Sequence, residues 1–63
     1  MGGIEFKECF FCKSKFVWVY KFSIDGVAVS IPSDVKNNID YMSNVIRSLG
    51  KNHIIRSYAN ERT

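Results

Sequence analysis

Cys9-Phe10-Phe11-Cys12 is the one place in this 63-residue chain where side-chain type and spacing address chemistry directly. Two thiolates separated by two residues can turn a knuckle around zinc, and the Lys13-Ser14-Lys15-Phe16 that follows is compatible with such a turn. Zinc takes four ligands, however, and His53 is the only further histidine or cysteine in the chain. A complete site would need a carboxylate, or a second copy of the chain bringing its own cysteine pair. The competing reading is a strand in which both cysteines are small reduced hydrophobes. In a regular strand positions 9 and 12 point to opposite faces, so the strand and metal readings exclude each other. A redox role lacks the βαβ setting of thioredoxin-like proteins. We therefore expect no metal and no cofactor, with Cys9, Cys12 and His53 as the residues on which a metal would depend.

Trp18, Tyr20 and Phe22, with Lys13, Lys15 and Lys21 nearby, are the residue types of a stacking platform for single-stranded nucleic acid. Their spacing by two also suits the buried face of a strand, and the core role is the expected one, with Trp18 the ring that stays partly accessible. Net charge is +3 and the isoelectric point about 9.1, and Arg47, Lys51, Arg56 and Arg62 face only Glu61 near the C-terminal end. Lys13, Lys15 and these four cations are the candidate phosphate contacts of a nucleic-acid-binding reading. No glycine-rich phosphate loop, marked carboxylate pair or diagnostic Ser, His and Asp spacing is present, so catalysis is not expected. With one evident helix, helix-turn-helix DNA binding is not expected either.

The element that must position these residues is a β-hairpin. Phe16 to Ile24 and Val27 to Ile31 are rich in β-branched and aromatic residues, and Asp25-Gly26 between them supplies the two positive φ angles of a type I′ turn. That turn pairs Ile24 with Val27, Phe22 with Val29 and Tyr20 with Ile31, which gathers Trp18, Tyr20, Phe22, Ile24, Val27, Val29 and Ile31 on one face. Residues 4 to 11 alternate as a further strand. A three-residue loop at 13 to 15 would pair Cys12 with Phe16 and set Ile4, Phe6 and Phe10 on the core face, with Glu8 as a misfit. A four-residue loop would move that apolar set to the other face. The first register is expected because it collects more apolar groups on one side.

After Pro32 the period changes. Ser33 or Asp34 is a suitable N-cap, and Val35, Ile39, Met42, Ile46 and Leu49 form one stripe of an amphipathic helix that Gly50 ends. The stripe lies over the aromatic sheet face, burying both. His53 to Tyr58 is expected as a short last strand and residues 59 to 63 as a frayed tail. The fold class is therefore α+β: one domain spanning residues 1 to 63, with a small antiparallel sheet, one helix on one face and the order β-β-β-α-β.

One helix cannot cover two faces. The reverse face, with Phe11, Val17, Val19, Lys21 and Ala28, keeps an apolar half open, and such a patch marks a contact surface for a protein partner or for a second copy of the chain. The element order is similar to that of very small phage-encoded proteins that bind and inhibit host enzymes, a likeness of order that no motif carries. The expectation is a non-enzymatic accessory, adaptor or inhibitor protein acting through the reverse face and the basic C-terminal end, with nucleic-acid binding as the alternative. No apolar stretch is long enough to span a bilayer, and the N-terminus does not read as an export signal, so a cytoplasmic location without membrane contact is the default expectation.

Overall fold

The computed structural model describes residues 3–59. Three strands, β1 (Ile4–Cys12), β2 (Val17–Ile24) and β3 (Val27–Ser33), form one antiparallel sheet in the order β1-β2-β3, followed by helices α1 (Ile39–Leu49) and α2 (Lys51–Tyr58). The hairpin has the expected register, with Ile24 opposite Val27, Phe22 opposite Val29 and Tyr20 opposite Ile31. Asp25 at φ 52° and Gly26 at φ 85° make the turn, whose twist matches that of the strands it joins.

Every buried residue of the sheet falls on one side of this register. Tyr20, Phe22, Ile24, Val29 and Ile31 meet Met42 and Ile46 of α1 and Ile54 of α2 in a single core. Fixed period and fixed turn length together leave the hairpin no other face to bury.

β1 departs from expectation in two places. Its turn to β2 has four residues, 13 to 16: the Phe16 amide donates to the Cys12 carbonyl at 2.7 Å, and Phe16 sits at φ 60°, outside the ladder. Cys12 therefore pairs with Val17 instead of Phe16. The extra loop residue puts Cys9 and Phe11 on the core face, opposite Tyr20 and Trp18, and turns Phe10 to the reverse face, opposite Val19. A bulge between Phe6 and Glu8 then restores the phase, so Phe6 pairs with Phe22 and Ile4 with Ile24. The bulge also resolves the Glu8 misfit, since Glu8 lies beside Lys21 on the reverse face, with 3.7 Å between their charged groups.

α1 starts later than expected. β3 continues through Pro32 to Ser33, an edge position where a missing amide is tolerated. The cap is Asn38, not Ser33 or Asp34: its side-chain oxygen accepts from the Tyr41 amide at 2.7 Å, while the Ser33 hydroxyl donates to the Val35 carbonyl. Val35 and Leu49 consequently fall outside the packed stripe, 60% and 54% exposed. The loop before α1 is tied to the core through Tyr20, whose hydroxyl donates to the Asn37 carbonyl at 2.6 Å and accepts from the Asn37 amide at 2.5 Å. Both hydrogen-bonding functions of a fully buried phenol are thereby satisfied.

Residues 53–58 form helix, which corrects the expected last strand and the β-β-β-α-β order. Gly50, at φ 99° and ψ 135°, caps α1 and starts α2 without a connecting loop, a conformation that favours glycine. Its amide donates to the Ile46 carbonyl and its carbonyl accepts from the Ile54 amide, so one residue closes one helix and opens the next. Ile54 and Tyr58, four residues apart, then face the core from one side of α2. Ala59 forms a single antiparallel bridge with Val29 instead of belonging to a frayed tail. The rest of that tail, Arg62 included, lies outside the described residues.

Candidate functional site: the open sheet face

With both helices on one side, the reverse face carries Phe10, Cys12, Val17, Val19, Lys21, Ser23, Ala28 and Ser30, none of them buried. Of the residues expected there, Val17, Val19, Lys21 and Ala28 are in place. Phe11 is not. The four-residue turn moves it to the core side, where it is 37% exposed and its ring lies edge-on between Phe16 and Trp18 at 5.4 and 5.2 Å. Phe10 takes its place on the reverse face, 40% exposed.

The middle of the reverse face is organised around Lys21. Its ammonium lies 3.7 Å from the Glu8 carboxylate and 5.7 Å from the centroid of the Phe10 ring. A cation held between a carboxylate and an aromatic face keeps its stem over the strands, beside Val19. The result is an apolar strip of Phe10, Val17 and Val19 with one charge at its border.

At the open end of the hairpin the core side is also incompletely covered. Phe16, Phe11 and Trp18 form a chain of edge-on rings, Phe16 is 78% exposed, and the Lys36 ammonium stands 5.1 Å from the Trp18 ring centroid. Trp18 is half-buried, while Tyr20 and Phe22 are core and not a stacking surface.

Among the described residues, the cations of the nucleic-acid reading do not gather at one place. Lys13 and Lys15 are in the β1–β2 turn, whereas Lys51 is at the start of α2 and reaches the opposite turn, with its ammonium 3.3 Å from Asp25. β2 separates the two turns by about 25 Å at roughly 3.3 Å per residue. That is more than twice the Debye length of about 8 Å at physiological ionic strength, so the two groups do not act as one patch. Arg47, with Lys51 and His53, borders an open hollow beside Asp25, and Arg56 is exposed on α2. The fold has two helices where one was expected, but they are joined through a single residue, too short for the three- to four-residue turn of a helix-turn-helix.

Cys9 and Cys12 lie on opposite faces of one continuous strand, about 10 Å apart by strand rise. That separation is too long for a disulfide, and the opposed directions deny a single ion both thiolates. His53 is exposed on α2, and among the described residues no three histidine, cysteine or carboxylate groups are placed to hold a metal ion. Cys12 has a different distinction. Its thiol is 3.5 Å from the Ser14 hydroxyl, and that hydrogen bond, then one from the Lys15 backbone, lowers its pKa below the ordinary thiol value. A lowered pKa enlarges the thiolate fraction near neutral pH, so Ser14→Ala should shift the midpoint of Cys12 alkylation to higher pH. Rates followed by peptide mass spectrometry across a pH series check this, and an unmoved midpoint would remove the Ser14 contribution.

No helix among the described residues is long and apolar enough to cross a membrane. Comparison with known protein families, with characterised proteins and with solved structures gives no match.

Proposed function

We propose that this chain is a small, non-enzymatic protein-binding module of the accessory, adaptor or inhibitor type, working in the cytoplasm through the reverse face of its sheet. One observation carries the reading: two helices bury one face, while Phe10, Val17 and Val19 remain an apolar strip on the other, with none of the three buried. An apolar face that no element among the described residues covers is most economically explained as a contact surface. Lys21, at the border of the strip, gives that surface a charge with which to orient a partner. The separation of Lys13 and Lys15 at one turn from Lys51 at the other favours this reading over nucleic-acid binding.

Val19→Glu is the test. Val19 lies on β2 between Phe10 and Pro32, so a carboxylate there sits inside any interface built on the strip and costs several kcal/mol if it finds no partner. Tagged parent and variant are used to capture partners from a nuclease-treated lysate. Proteins retained by the parent and lost by Val19→Glu are expected. Loss of all parent partners on nuclease treatment would transfer the function to nucleic acid, and equal capture by both would move the contact surface elsewhere.

A further inference from the structure

The two edges of the sheet are not equivalent. The outer side of β3 is blunted twice, by the Ala59 bridge at Val29 and by Pro32, which has no amide to offer. The outer side of β1 has neither device, and among the described residues nothing pairs with it. Phe6 and Phe10 on this strand are each 40% exposed and Phe11 37%, on a nine-residue edge. A long edge strand with exposed aromatics is a template for another strand.

The strand's own sequence selects its partner. An antiparallel second copy of β1, with its two-fold axis between Lys7 and Glu8, sets Ile4 opposite Phe11 and Phe6 opposite Cys9. All four lie on the core face, because the bulge changes the phase between Phe6 and Cys9. Glu5 and Phe10 meet on the reverse face. At the axis, Lys7 of each copy stands opposite Glu8 of the other, giving two opposite-charge pairs. Slipping the register by one residue would set Glu8 against Glu8 and Phe6 against Phe10, which point to opposite faces. The bulge and Lys7 would obstruct an unrelated strand, but a second β1 brings its own bulge and a carboxylate to the same place. The present partners of these charges, Glu5 for Lys7 at 3.4 Å and Lys21 for Glu8 at 3.7 Å, are exposed surface pairs that hold them weakly.

We infer that two copies of this chain pair antiparallel along β1 in this register, forming one six-stranded sheet with the Lys7 and Glu8 pairs at its centre. The contact runs along the outer edge of β1, whereas the Val19 strip lies across the reverse face, with Phe10 common to both.

Sedimentation velocity over a concentration series reaching millimolar tests it on four samples. The parent is expected to approach twice its 7.3 kDa mass as concentration rises. Lys7→Glu and Glu8→Lys, each placing like charges at the axis, should both remain monomeric with parental circular dichroism. Their equimolar mixture should dimerise again, because a Lys7→Glu chain facing a Glu8→Lys chain restores two opposite-charge pairs. Val19→Glu should dimerise like the parent. A parent that stays monomeric, single variants that dimerise undiminished, a mixture that fails to recover, or a dimer abolished by Val19→Glu would each overturn the proposal.

Discussion

Phe22→Ala is expected to destabilise the fold by about 3–5 kcal/mol, the usual cost of emptying a buried aromatic site. Phe22 is 1% exposed on the central strand, opposite Val29, with the Phe6 ring edge-on at 5.5 Å. The strands on either side are held by their own ladders, so the site cannot collapse to fill the volume lost. A chain of this length has a total stability on the order of 3–9 kcal/mol, so one such substitution removes a third or more of it. Urea unfolding followed by circular dichroism is the measurement. A midpoint within error of the parent would mean that the aromatic face is not the core.

Ile54→Ala is expected to cost about 2–5 kcal/mol, and it tests the element the sequence did not disclose. Ile54 is 1% exposed on α2, while its neighbour Ile55 is half-buried. Ile55→Ala should therefore cost clearly less. Equal costs, or a larger one at Ile55, would contradict the helical placement of this segment, and the paired urea midpoints decide it.

How much of this architecture was legible depends on whether the governing interaction was local. The hairpin was, because a two-residue Asp25-Gly26 turn sets register from within the turn, and period-two alternation then assigns every residue to a face. The first strand was not. Its phase is set by Phe16 in a left-handed conformation and by a bulge at Lys7 and Glu8, and neither residue type announces that geometry. Phe11 was assigned to the wrong face for this reason alone. The missed signal was Glu8 itself, a carboxylate in an apolar phase that a bulge would relieve. In the last segment, adjacent Ile54 and Ile55 favour a strand by composition. The four-residue spacing of Ile54 and Tyr58 suits a helix, and packing on β3 and α1 settles what propensity left open. Of the candidate site, Val17, Val19, Lys21 and Ala28 were legible because they belong to the hairpin, and Phe10 was missed because it does not.

The central claim is that one face of the sheet is core and the other is free to bind, and the melting curve of Val19→Glu tests it most directly. Val19 lies between the buried Tyr20 and the half-buried Trp18 in sequence but on the opposite face of β2, where no helix among the described residues packs. The account predicts a folded variant with a cooperative transition close to the parent's, since the new carboxylate stays in water. A variant that is unfolded, or whose transition falls as far as that of Phe22→Ala, would show that the reverse face belongs to a core, and the contact surface proposed on it would be wrong.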